Sequence, residues 1–101
     1  MFINDICIIQ CFYGTNVLQI EAAKDALSIM LKLEPTPQDW VFVEAQKNKN
    51  DFQFEYLKKN GIKYIKKYIK DENEYLFLKE QLWNIGVQNT KCNYLCFIDS
   101  D

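Results

Sequence analysis

Four apolar runs set the rhythm of this chain, with polar or amphipathic stretches between them. Ile6-Cys7-Ile8-Ile9-Gln10-Cys11-Phe12 is nearly continuous and rich in β-branched residues, the pattern of a strand covered on both faces. Trp40-Val41-Phe42-Val43-Glu44 has the same character and is tipped by an acid. Ile62-Lys63-Tyr64-Ile65 is shorter, and the lysine inside it predicts a peripheral strand. Tyr94-Leu95-Cys96-Phe97-Ile98 is the last run and stops abruptly at Asp99-Ser100-Asp101. Between the first two runs, Ile20, Ala23, Leu27, Met30 and Leu31 recur at three- and four-residue steps, with Glu21, Lys24, Asp25 and Lys32 on the other side. That spacing predicts a helix over Val17–Leu33, with Thr15 or Asn16 as N-cap and Glu34-Pro35-Thr36-Pro37 as terminator. Gln46–Asp51 reads as a polar loop, and Phe52–Asn60 as a short helix closed by Gly61. Lys66–Lys70 fits either period, and the lysines of 58–70, offset by Asp71, Glu72 and Glu74, read as a solvated surface rather than a site for an anionic partner. A last helix is expected from Glu72 or Asn73 to about Asn84-Ile85-Gly86, with Tyr75, Leu78, Leu82 and Ile85 as its apolar stripe. Lys79 reads as a surface residue of that helix.

Strands alternating with helices through short connections predict an α/β fold. The form expected is a Rossmann-like, doubly wound, mainly parallel sheet of about four strands, with helices on both faces. Residues 1–101 form one domain, with no internal repeat and no interdomain linker. Neither G-x-G-x-x-G nor a Walker A sequence follows the first strand, so no glycine loop is available to cradle phosphates.

Composition narrows the partners. A hydrophobic share of 49% supports a packed core, and a net charge of -2 gives no basis for nucleic-acid binding. All 12 basic residues are lysines and histidine is absent, so a His base or an arginine finger is not available in this chain. The N-terminus lacks a basic region before its apolar run, and no apolar stretch approaches a membrane span; the expected location is the cytoplasm. Cys7, Cys11, Cys92 and Cys96 form two C-x-x-x-C pairs. In extended segments each pair is separated by roughly 13 Å, too far for one zinc ion to gather both members. Reduced core thiols are the expectation, consistent with a reducing compartment.

The terminal triplet carries the chemistry. Two carboxylates at the C-terminal tip of a buried strand lie where open α/β sheets bind ligands, and hard oxygen ligands suit Mg²⁺ or Mn²⁺ against a diphosphate. The segment Leu82-Trp83-Asn84-Ile85-Gly86-Val87, followed after a spacer by Tyr94-Leu95-Cys96-Phe97-Ile98-Asp99-Ser100-Asp101, resembles the N-terminal, donor-binding half of GT-A fold glycosyltransferases of the family-2 type. The resemblance covers the whole chain in element order but only about the last 20 residues in motif.

The resemblance implies a metal-dependent enzyme that moves a sugar from a nucleotide-diphosphate sugar, a UDP-sugar in the first instance, to an acceptor glycan, protein or lipid. It implies that Asp99 and Asp101 hold Mn²⁺ or Mg²⁺, Asp101 as the direct ligand and Asp99 contacting the ribose or a metal-bound water. It further implies that Phe12 and Tyr13 pack the base, that Glu44 contacts base or ribose, and that Asn84 lines the donor pocket. The family's acceptor site and catalytic base lie beyond the equivalent of Asp101. The chain therefore reads as part of a longer enzyme, inactive by itself and with its catalytic residues unassigned. The alternative is a non-catalytic nucleotide-binding or protein-interaction module. A phosphoacceptor receiver domain shares the sheet but needs acids after the first strand, where Phe12-Tyr13 stand.

Overall fold

The computed structural model describes residues 2–32 and 36–99. Its element order is β1 (Phe2–Tyr13), α1 (Val17–Met30), β2 (Thr36–Gln46), β3 (Lys63–Tyr68), α2 (Leu78–Gln88) and β4 (Tyr94–Asp99), with short 3₁₀ turns at Lys49–Asp51, Glu55–Asn60 and Glu72–Tyr75. The four strands form one sheet in the order β3-β2-β1-β4, and every pairing is parallel. This is the α/β, Rossmann-like doubly wound arrangement that the alternation of apolar runs predicts. Among the described residues, no helix is long and apolar enough to cross a membrane.

Side-chain alternation along β1 and β2 divides the core in two. On one face Phe12, Trp40, Phe42 and Tyr64 pack with Ala23 and Leu27 of α1 and with Phe54 and Leu57. On the other, Cys7, Ile9, Val41, Val43 and Ala45 pack with Leu78 and Leu82 of α2. β1 and β2 are central, so their runs are buried on both sides. β3 and β4 are the edges, which explains why Lys63 is tolerated in one and why Tyr94 and Phe97 are exposed in the other.

Several boundaries differ from the sequence reading, each for a local reason. β1 begins at Phe2 because Asp5, at φ 64°, absorbs a register shift between Ile3 and Cys7. The Asp5 carboxylate accepts bonds from the Asn93 amide and side chain at 2.8 and 2.9 Å, while its own N–H donates to Gln38 Oε1 at 2.6 Å. These bonds tie the starts of β4 and β2 to β1 and hold the Asp5 carboxyl below its ordinary pKa, chiefly through Asn93. α1, capped by Asn16 Oδ1 accepting from Gln19 N, ends at Met30 rather than Leu33; Leu33, Glu34 and Pro35 lie outside the described residues. Glu55–Asn60 is 3₁₀ rather than α-helical, and Gly61 closes it at φ 79°.

The expected last helix is split: Glu72–Tyr75 is a 3₁₀ turn, and α2 starts only after Phe77 at φ 54°. Asn84-Ile85-Gly86 does not end α2, which runs on to Gln88. Gly86 is instead a point of close approach between α2 and β1. A Cβ there would stand 2.5 Å from Ile9 Cγ2, so the lack of a side chain lets the helix rest on the sheet.

Candidate functional site

The chain path creates the site. From β1 the connection passes over one face through α1 to β2 and then β3; the return passes over the other face through α2 to β4, on the far side of β1. The order reverses between β1 and β4, and α1 and α2 diverge above their carboxyl ends. Open α/β sheets bind ligands in that crevice. A cavity of about 440 Å³ lies there, lined by Cys11, Phe12 and Tyr13 of β1, Gln19 of α1, Asp99 of β4 and the first turn of α2.

Its walls have distinct chemistry. Tyr13 is exposed and meets Tyr75 edge-on at 5.3 Å. The hydrogen bond with Tyr75, together with burial, raises the Tyr13 phenol pKa. Phe12 is mostly buried, its ring 4.9 Å from Phe54, and only borders the cavity. Asp99 pairs with Cys11 in the sheet register, and its carboxylate forms an ion pair with Lys79. Lys79 also stands 4.9 Å over the Trp83 ring, which in turn packs on Phe97. Lys79 and Glu80 belong to the first turn of α2, whose N-cap, Phe77, offers no side-chain acceptor. The positive end of that helix therefore opens on the cavity.

The structure thus brings Phe12, Tyr13 and Asp99 together and leaves Glu44 and Asn84 elsewhere. Glu44 is not a strand tip, because β2 continues to Gln46; its carboxylate is 0% exposed. Oε1 accepts from Phe54 N at 3.0 Å and Tyr64 Oη at 2.6 Å; Oε2 accepts from Gln53 N at 2.9 Å and Gln46 Nε2 at 3.0 Å. Those donors come from within the fold and leave no face toward the cavity. Burial, and then the bond to Glu44, drive the Tyr64 phenol pKa far above its ordinary value. Asn84 sits exposed in the middle of α2, away from the cavity lining, because Gly86 is a packing contact and not a helix end.

Asp101 lies outside the described residues. Among the described residues, no group of three or more His, Cys, Asp or Glu side chains gathers to hold a metal ion. Among the described residues Asp99 is the one carboxylate of β4 at the cavity, and the Lys79 ammonium already occupies one of its oxygens. Of the four cysteines expected in the core, only Cys7 is buried; Cys11 and Cys92 are half-buried, Cys96 is exposed on the edge strand, and Cys92 precedes β4 rather than lying in it. Burial raises the Cys7 thiol pKa.

Sequence reasoning missed Lys79, Tyr75 and Gln19. Lys79 did carry a signal: a cation in the first turn opposes the helix dipole and calls for a compensating partner. No family model, curated protein or solved structure matches the chain.

Proposed function

We propose that the cavity above β1 and β4 binds the nucleoside-diphosphate part of a nucleotide sugar, and that the chain is the donor-binding part of a metal-dependent glycosyltransferase. The observation that carries the reading is Asp99, the first acid of Asp99-x-Asp101, at the rim of the cavity where the strand order reverses. The tyrosine wall of Tyr13 and Tyr75 suits the flat, apolar faces of a base. In the same lining, Lys79 and the first turn of α2 suit the anionic diphosphate. Asp99, together with Asp101, would hold Mn²⁺ or Mg²⁺, which supplies electrophilic stabilisation to a departing diphosphate. This chain has neither His nor Arg to do so. Glu44 and Asn84 take no part in the proposed site.

Titration with UDP, in the presence and absence of Mn²⁺, tests the proposal on the wild-type chain and on Asp99→Asn. Metal-dependent binding lost in the variant supports it. Binding indifferent to both the ion and the substitution leaves a non-catalytic module as the better description.

A further inference from the structure

The two edges of the sheet are defended unequally. β3 carries Lys63, Lys66 and Lys67, paired with Asp39, Glu55 and Glu74, and charges of this kind discourage a further strand from adding. β4 holds no lysine, proline or bulge: Tyr94–Ile98 is apolar, and its register against β1 runs unbroken from Ile6 and Tyr94 to Cys11 and Asp99. Among the described residues, nothing pairs with its outer edge. Side chains beside that edge are open on both faces of the sheet. Tyr94 and Cys96 are exposed on the α1 face, and Phe97 is exposed on the α2 face, where it packs on Trp83.

We infer that β4 pairs antiparallel with β4 of a second copy of this chain, closing a two-fold dimer with one continuous sheet. A two-fold axis normal to the sheet keeps each face continuous across the joint, so residues that stand opposite each other must point to the same face. The register must then centre on a residue that meets its own copy, not between two residues. Centring on Phe97 sets Asp99 against Leu95 of the second copy, a charge against an apolar side chain. Centring on Cys96 sets Tyr94 against Ile98 and Leu95 against Phe97, aromatic–aliphatic pairs of the kind that stabilise neighbouring strands. It also sets Asp99 against Asn93, so no like charges meet. The strand is therefore complementary to itself, which a second copy requires and an unrelated strand does not. Because the paired strands run in opposite directions, the two cavities point to opposite ends of the dimer. The inference is independent of what the cavity binds.

Sedimentation velocity of the full chain over a concentration series measures the association, and diamide probes the register. At a joint centred on Cys96 the two Cys96 Cα atoms stand about 4.5–5.5 Å apart, within the span of a disulfide. Diamide takes up the protons and electrons that the two thiols release when the S–S bond forms. The expected result is a concentration-dependent dimer that diamide locks through Cys96. Cys96→Ser should still associate but no longer lock. Cys96→Lys, at an exposed position, sets two ammonium groups opposite each other and should weaken the dimer at least about tenfold, folding being checked by circular dichroism. If that variant does not fold, the crosslink and its loss in Cys96→Ser decide the register. A wild type that stays monomeric at about 1 mM overturns the inference. So does a dimer untouched by Cys96→Lys, a crosslink that survives Cys96→Ser, or growth past the dimer, the mark of a head-to-tail contact.

Discussion

Glu44 is the most heavily bonded polar side chain in the core, and replacing it with glutamine tests whether it serves the fold rather than a ligand. Glu44→Gln preserves volume and one carbonyl oxygen. If that oxygen keeps the Phe54 amide and the Tyr64 hydroxyl, it also stands 3.1 Å from Gln53 N and can keep that donor; the new amide NH₂ then faces Gln46 Nε2, which stands 3.0 Å from the present Oε2 and also donates to Gly14 O at 2.7 Å. The buried Gln46 N–H that loses its acceptor costs about 1–3 kcal/mol, so a loss near 2 kcal/mol is expected. For a domain of this size that corresponds to a fall in Tm of roughly 8–16 °C. Urea titration followed by circular dichroism measures the loss, and an unchanged m-value would show that the native state stays compact. Tyr64→Phe removes a single donor and should cost about half as much. A Glu44→Gln protein within about 0.5 kcal/mol of wild type would refute the reasoning, since surface substitutions fall in that range. It would also reopen Glu44 to a role outside the core.

Two further predictions follow from the packing. Tyr64 has a raised pKa in the folded chain, so the folded state holds its proton where the unfolded state has lost it. The associated stability is complete below about pH 10 and falls above it by up to ~1.4 kcal/mol per pH unit until the folded-state pKa is reached; Tyr64→Phe should flatten that part of the stability–pH curve, and identical curves would contradict the assignment. Gly86→Ala sets a Cβ 2.5 Å from a methyl of Ile9, a β-branched side chain with little room to turn. Overpacking outweighs the gain in helix propensity, so thermal unfolding should show a net loss of about 1–2 kcal/mol, and a variant as stable as wild type would show that α2 does not rest on β1 there.

The class of fold was legible because β1 and β2 are buried on both faces, and a strand so placed needs an unbroken apolar run. The boundaries were less so. The start of β1 is disguised by Asn4-Asp5, whose polarity belongs to a bulge fastened to Asn93, a contact across 88 positions of sequence. The break before α2 is invisible in a stripe that continues through Tyr75, Leu78 and Leu82, since only the backbone at Phe77 leaves the helical region.

At the site, Asp99 could be placed from its position at the end of an apolar run. Glu44 satisfies the same rule locally but lies two residues short of the end of β2, beneath the segment Gln53-Phe54 that supplies its donors. An acid buried under the segment that follows its own strand looks, in sequence, like an acid at a strand tip. Asn84 failed for a related reason: Gly86 terminates nothing and serves as a contact with Ile9. Lys79 reaches Asp99 only because α2 crosses back over β1, a consequence of strand order and not of local pattern.

The central claim, a metal-assisted diphosphate site at Asp99, is tested most directly by the UDP affinity of the full chain with and without Mn²⁺, beside that of Asp99→Asn. Asp99 is exposed and carries no core packing, so the substitution should leave folding unchanged. The account predicts that Mn²⁺ strengthens UDP binding to the wild type by at least tenfold, about 1.4 kcal/mol, and that Asp99→Asn removes this gain. Equal UDP affinity in all conditions, or no UDP binding at all by a folded wild-type chain, would contradict it.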